Sequence, residues 1–305
     1  MTERYAPMLA NVLKDTEIPM GWQMEPKYDG HRIIVAKFGD TLSLFTRTFH
    51  NQLGKVPHIE ESFNSVPFDF VLDGELISIS DTVEIVGNQV PIANFESALS
   101  VVGSHVGKAV DKQTEDSTKL SYVAFDCLHY NGDDTMQLPD AMRRNIAEGI
   151  VDIMNEYVLL TPRWQGFHEE IFDEIVANGG EGIMLKNGLA AYSAGKRPKN
   201  TWSKLKDIAT ADVVVMGFKP GNGKYADSIG AVEFGQYKNG ILTARSRCSG
   251  MDDALRNEIS DNREDYLGKV MEVKYFGRVG PEKSFRHPVF KSFRDDKLAT
   301  DCVWE

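Results

Sequence analysis

Cysteine is scarce in this chain. Cys127, Cys248 and Cys302 are its three thiols, odd in number and far apart. They offer neither a disulfide framework nor metal-ligand spacing, so reduced thiols in a cytosol-like compartment are expected. The seven histidines form no HxH or HxxxH pair, which argues against a structural zinc site. Long apolar runs are missing: nothing approaches the roughly 20 residues of a membrane span. The opening Met1-Thr-Glu-Arg-Tyr-Ala-Pro-Met-Leu9 has no apolar signal core. Internal repeats and low-complexity segments are absent. Positive charge is short overall, at a net −11, but the deficit lies wholly in residues 1–210, whereas residues 211–305 balance to zero. That excludes a generally sticky, histone-like binder and leaves room for a local binding track.

Charged residues at 26% and aromatics at 10% describe an ordinary globular chain, and 305 residues suffice for one large and one small core. The pattern is mixed α+β. Strands are expected at 22–27, 32–38, 42–46, 70–78 and 120–126, with Gly39-Asp40 as a turn. Apolar residues at helical spacing mark helices at 141–156 and 168–178, the second ended by Asn178-Gly179-Gly180. Strands at 212–218, 230–237, 241–247 and 270–276, with one helix-like stretch at 251–262, suit a small five-stranded barrel. The boundary falls at Asp207-Ile-Ala-Thr-Ala211, which gives domains 1–208 and 209–305.

Charged residues embedded in apolar sequence carry the chemistry. In order they are Lys27-Tyr28-Asp29-Gly30, Asp73-Gly74-Glu75, Phe125-Asp126, Glu181-Gly182-Ile-Met-Leu-Lys186, Ser203-Lys204-Leu-Lys206 and Arg294-Asp-Asp-Lys297. Lysine is a poor nucleophile at its free pKa of about 10.4, so a catalytic one must be desolvated or set beside other cations. Lys27 follows an apolar strand, and Lys186, Lys204 and Lys206 are cations that can converge on it. A neutral Lys27 amine can attack an α-phosphorus and expel pyrophosphate, with Asp29 two residues on to orient it and Gly30 to let the backbone approach the ligand. By itself K-x-D-G equally fits a surface turn. Glu75 and Glu181 sit at strand edges, where they fit either a pair of surface glutamates or charges that need a partner or a metal. Oxygen-only ligands suit Mg²⁺. Phe125 can stack on a purine or simply belong to a core. Two basic tracks, Lys196-Arg197-Pro-Lys199 and the set Lys269, Lys274, Arg278, Lys283, Arg286 and Lys291, fit phosphate contact or a solvated surface.

Taken together, the ordered motifs resemble the covalent lysyl-nucleotidyltransferases, specifically ATP-dependent DNA ligases of the short, two-domain, phage-like kind, from Glu25 to Lys297. The resemblance implies an N-terminal nucleotidyltransferase (adenylation) domain of antiparallel sheets and helices, followed by a small C-terminal OB-fold β-barrel. It makes Lys27 the adenylylated residue and Glu25 the reader of the adenine amino group. Arg32 and Arg47 match the arginines that follow, although the usual Ser-Arg-x-Gly is here Thr46-Arg47-Thr48-Phe49. Glu75 belongs to a ribose- and metal-binding motif, Phe125 stacks on adenine, and Glu181 is a metal ligand. Lys186 contacts phosphate, Lys204 and Lys206 grip the α-phosphate, and Arg294 and Lys297 orient the leaving pyrophosphate. His287-Pro288-Val-Phe290 is also typical of the short phage enzymes.

The implied reaction has three steps: AMP moves from ATP to Lys27, then to the 5′-phosphate at a nick, and the 3′-hydroxyl displaces it. The implied cofactors are ATP and Mg²⁺, with Mn²⁺ a possible substitute, and the partner is nicked duplex DNA in replication, repair or recombination. A monomer in the cytoplasm, or in a host cell's cytoplasm if phage-encoded, completes the expectation, with a C-terminal domain that closes over ATP and then swings away. A GTP-dependent mRNA capping guanylyltransferase shares K-x-D-G but differs at the Glu181 and Trp202 motifs. RNA ligases generally lack the R-x-D-K barrel. A nonenzymatic single-strand binder would not need Lys27 or two metal carboxylates.

Overall fold

The computed structural model describes residues 3–13, 21–115, 118–206, 208–226, 228–275, 278–279 and 284–304. They form two compact units, residues 1–206 and 207–305. The first unit opens with β1 (Asn11–Val12), β2 (Trp22–Pro26), β3 (His31–Phe38), β4 (Thr41–Thr46) and α1 (Pro57–Ser65). Then come β5 (Phe70–Ile77), β6 (Ile79–Ile85), β7 (Asn88–Ala93), α2 (Phe95–Val102), α3 (Val106–Asp111), β8 (Ser121–Tyr130) and β9 (Asp133–Asp134). It closes with α4 (Asp140–Val151), β10 (Val158–Leu160), β11 (Trp164–Gln165), α5 (Glu169–Ala177), β12 (Gly182–Asn187) and β13 (Trp202–Lys206).

Two five-strand paths carry this unit, one in the order β1-β13-β12-β2-β11 and the other β10-β8-β5-β3-β4, with β9 beside β8. Alternation in β3 explains how the second is covered on both faces. Ile33 and Val35 point into a core with Phe63 of α1, Val101 of α2 and Ile150 of α4. Ile34 and Ala36 point the other way, toward Leu128, Tyr192 and Trp202. In the first sheet Met24, Ile183 and Leu185 pack on Ile171 and Ile175 of α5.

Departures from the sequence-based expectations have physical reasons. The first expected helix ends at Val151, because Asn155 is tied to α1: its N–H donates to Ser62 Oγ at 2.9 Å and its Nδ2 to the His58 carbonyl at 2.8 Å. The β6–β7 hairpin was not expected. It turns on Val86-Gly87 at φ 42° and 73°, and a β-branched residue in a left-handed turn gives no sequence signal. The second helix ends as expected, with Gly179 at φ 89°.

The second unit contains β14 (Ala209–Pro220), β15 (Ile229–Lys238), β16 (Ile241–Cys248), α6 (Asp253–Asp261), α7 (Arg263–Tyr266), β17 (Val270–Tyr275), β18 (Arg278–Val279), β19 (Ser284–Phe285) and β20 (Val289–Phe293). Asn239-Gly240, at φ 52° and 80°, is the Asn-Gly hairpin turn between β15 and β16. The sheet runs β16-β15-β14-β17-β20, antiparallel throughout, around Val213, Phe234, Met271 and Phe285. A closed barrel is not found among the described residues. The two edges meet at one bridge, Ser249 to Val289, and Gly250 at φ 102° then turns the chain toward α6 before pairing can extend. The expected strand residue Phe276 lies outside the described residues, as do Lys283 and the Arg278 side chain.

Candidate active site

Strand register assembles the site. β12 pairs with β2 on one side and β13 on the other, so Glu25, Met184 and Lys204 stand in one cross-strand row. Two residues along, Gly182 pairs with Lys206, and its carbonyl accepts the Lys27 backbone N–H at 2.8 Å. Opposed residues share a face, and that face lines a cavity of about 860 Å³. Gly182 is obligatory here: it lies at φ 129°, and a Cβ would come within 2.8 Å of the Lys206 Cα.

Glu181, next to this row, takes both lysines. Its Oε2 accepts from Lys27 Nζ and its Oε1 from Lys206 Nζ. Burial pushes the Glu181 carboxyl up, but the Lys27 and Lys206 ammonium groups outweigh it and hold it below the usual range. Lys204 makes no ion pair among the described residues. Burial, then the like charges of Lys206 and Lys27, lowers its pKa.

The second sheet contributes Arg32 and Glu75, directly opposed on β3 and β5. Arg32 forks onto buried Asp73, Nε to Oδ1 at 2.8 Å and Nη2 to Oδ2 at 2.5 Å, and donates to the Met8 carbonyl at 2.6 Å. Half-buried Glu75 makes no hydrogen bond or ion pair among the described residues. Desolvation drives its pKa up to about 8, while Lys27 and Arg32 pull against the shift and Glu181 and Asp73 add to it. Gly74 permits the close packing of this motif, since a Cβ would press within 2.6 Å of the Tyr122 hydroxyl and the Val123 carbonyl.

At the other end Lys186 is buried. Its Nζ reaches Glu25 Oε2 at 2.8 Å and the Phe125 carbonyl at 3.3 Å, and lies over the Phe125 ring at 4.5 Å. The residue expected to contact phosphate therefore holds Glu25 and Phe125 in this arrangement. Phe125 remains on the cavity wall with Glu25, Lys27, Arg32, Arg47, Glu75, Lys186 and Lys204. Arg47 is exposed at the rim. The glycine of the Ser-Arg-x-Gly pattern, two residues after the arginine, is replaced by Phe49 here, at φ 63° and 5.9 Å from the Phe45 ring, a left-handed turn that a glycine would adopt without strain.

Asp29 lines a narrow cleft together with Lys27, Pro91, Gly180 and Glu181. Gly30 lines the cavity, and it also meets a packing need: a Cβ there would collide with the Leu76 carbonyl and sit 2.8 Å from Ile77 Cγ2. In the second unit Arg294 forks onto Asp296 at 2.8 Å and reaches Asp212 Oδ1 at 3.3 Å, and Lys297 donates to Asp212 Oδ2 at 2.5 Å. Of the basic tracks, Lys196, Arg197 and Lys199 are exposed, while Lys291 is paired with Glu272 at 2.8 Å.

Sequence reasoning missed the supports behind the cavity. Arg143 is fully buried and forks onto Asp126 at 2.7 and 2.9 Å. Arg163 joins Glu25 to Asp140. Only Arg143 left a trace, as a charge on the buried face of α4 with Ala147, Ile150 and Val151. A cation there needs a buried partner.

Residues 7–206 match the family model described as the ATP dependent DNA ligase domain. The chain belongs to the ATP-dependent DNA ligase family. A DNA ligase of Methanosphaera stadtmanae is 30% identical over 89% of this chain and 52% of its own length. One of Haloarcula marismortui is 28% identical over 90% and 51%. A probable DNA ligase of Mycolicibacterium gilvum is 27% identical over 97% and 61%. The chain thus spans about half to three-fifths of these curated relatives. Among solved structures, Pmar-Lig_Pre superposes with TM-score 0.76 at 22% identity over 96% of this chain and 68% of its own. A structure of the Lig E DNA ligases gives 0.68 at 18% over 94% and 98%. At those identities the structures share the fold. Among the described residues no helix is long and apolar enough to cross a membrane.

Proposed function

We propose that this family member is an ATP-dependent DNA ligase that seals 3′-hydroxyl/5′-phosphate nicks through a lysyl-AMP and a DNA-adenylate. The observation that carries the reading is the Lys27–Glu181–Lys206 cluster beside a cavity that also holds Lys204, Arg32, Glu75 and Phe125. The Lys27 amine, freed of its proton, attacks the α-phosphorus; the new N–P bond forms as the bond to the β-phosphate oxygen breaks and pyrophosphate leaves. Lys204 and Lys206 steady the α-phosphate charge, Phe125 stacks on the base, and Glu25 accepts from the adenine amino group. Arg47 at the rim is the further phosphate contact. Arg294 and Lys297 act on the leaving pyrophosphate. Each step is an in-line displacement, so positioning and cations supply most of the catalysis.

Glu75 and Glu181 fit Mg²⁺, which binds through one or two carboxylates and keeps water and phosphate oxygens as its other ligands. The fit rests on Glu75, a half-buried carboxylate on the cavity wall with no hydrogen bond or ion pair among the described residues. When bound, the ion neutralises charge developing on the phosphate oxygens. The partner is nicked duplex DNA, met by the exposed run at Lys196, Arg197 and Lys199. On this reading residues 1–208 are the adenylation domain and residues 209–305 an OB-fold, and the protein acts as an intracellular monomer.

The test is incubation with α-labelled ATP, GTP or NAD, followed by ligation of a nicked duplex. A labelled adduct and sealing with ATP are expected. Activity with NAD alone, or labelling from GTP alone, would remove the assignment.

A further inference from the structure

The Glu25 carboxylate forms one end of the cavity and is held from behind. Its Oε1 accepts from Arg163 twice, from Nε at 2.7 Å and from Nη2; its Oε2 accepts from Lys186 at 2.8 Å. Arg163 is anchored in turn by Nη1 on Asp140 Oδ2 at 2.9 Å, and Asp140 Oδ1 faces Trp202 Nε1 at 3.4 Å. Arg163 does not line the cavity, whereas Glu25, Lys186 and Trp202 do. An ionised carboxylate has about four acceptor positions. Two hydrogen bonds and one ion pair engage both oxygens from behind without exhausting these positions, and Glu25 still lines the cavity. Burial pushes the Glu25 carboxyl up, but Arg163 and then Lys186 outweigh it and keep it charged.

We propose that Arg163 is a positioning residue that makes Glu25 a fixed, acceptor-only reader of the adenine amino group, and so sets the preference for ATP over GTP. The proposal rests on the nucleotide-binding reading given above. Adenine presents an amino donor where guanine presents the O6 acceptor. A charged carboxylate locked in place pairs with the first and leaves the second facing an acceptor, an unmet polar contact in a buried site. Without Arg163, Glu25 keeps Lys186 as its one paired cation, with Arg144 acting on it through charge alone. It can then turn on its own torsions and take up a proton, becoming a donor that O6 accepts.

The full chain as wild type, R163M and R163K decides it, by calorimetric titration with ATP and with GTP at two pH values. The expected result is a fall of at least tenfold in the ATP:GTP affinity ratio for R163M. GTP should gain most at the lower pH, and R163K, which keeps the charge but loses the fork, should fall between. Equal weakening of both nucleotides with the ratio unchanged would make Arg163 merely structural and overturn the proposal. If R163M does not fold, an unchanged ratio in R163K overturns it by the same measure. A wild type that binds both nucleotides equally does so as well. Lysyl adduct formation is scored separately: its absence in a wild type that still prefers ATP removes the ligase reading and leaves the ratio to judge Arg163.

Discussion

Lys27 and Lys206 share the carboxylate of Glu181, one on each oxygen, because β12 lies between β2, which Lys27 directly follows, and β13, which carries Lys206. The proposed nucleophile is therefore held as half of an ion pair. Lys27→Ala should abolish the nucleotide adduct and nick sealing from ATP while the far-ultraviolet circular dichroism spectrum is unchanged. Lys27→Arg should fail as well, since a guanidinium stays protonated. Peptide mapping of the labelled protein checks the assignment; an adduct on another lysine refutes it.

Glu181→Ala removes that shared carboxylate and a proposed metal ligand. It should slow both adduct formation and single-turnover sealing of a nick that already carries 5′-AMP, each by about 10²-fold or more. Arg294→Ala and Lys297→Ala should slow the first to a similar degree and spare the second, which needs neither ATP nor pyrophosphate. Equal failure in both assays would end the proposed division of labour.

Glu75 makes stability depend on pH. Its folded-state pKa of about 8 lies above the ordinary carboxylate value, so the folded form binds the proton more tightly than the unfolded one. That contribution is complete below the unfolded value, near 4.3, and is lost as pH rises through about 8. Glu75→Gln should flatten the melting temperature over this window, and Mg²⁺ should raise it at pH 8 in the wild type but not in the variant. Parallel melting curves for the two proteins would remove the role given to desolvation.

Two glycines should respond with opposite signs. Gly30→Ala drives a Cβ into the Leu76 carbonyl and should cost about 1–3 kcal/mol or more. Gly149→Ala lies in α4 with nothing within 4 Å of the added carbon and should gain about 0.5–1 kcal/mol. Urea midpoints measure both, and a neutral Gly30→Ala would show that β5 yields easily.

Nick binding should weaken steeply with salt, and charge reversal at Lys196 or Lys199 should reduce the slope by about one unit each. Slopes equal to the wild type's would make this run plain solvated surface.

The strands at Trp22–Pro26, His31–Phe38 and Thr41–Thr46 and the helix at Glu169–Ala177 were legible because their apolar spacing and turn residues are local signals. The motif residues Lys27, Glu75, Glu181 and Lys204 stood out as candidates because a charge within or beside an apolar strand is conspicuous in one dimension. That Lys27 and Lys206, 179 positions apart, meet on one carboxylate was not, because strand order and register are decided by long-range pairing. Arg163 and Asp140 left no trace for the same reason: each looks like a surface charge until the fold encloses it. Even the left-handed Phe49 needed its surroundings to be understood. The chain's own order of residues determined the chemical groups on offer and the local elements that bear them. Which group faces which, and which lose their water, only the packed sheets decided, since desolvation and ion pairing are properties of neighbours in space.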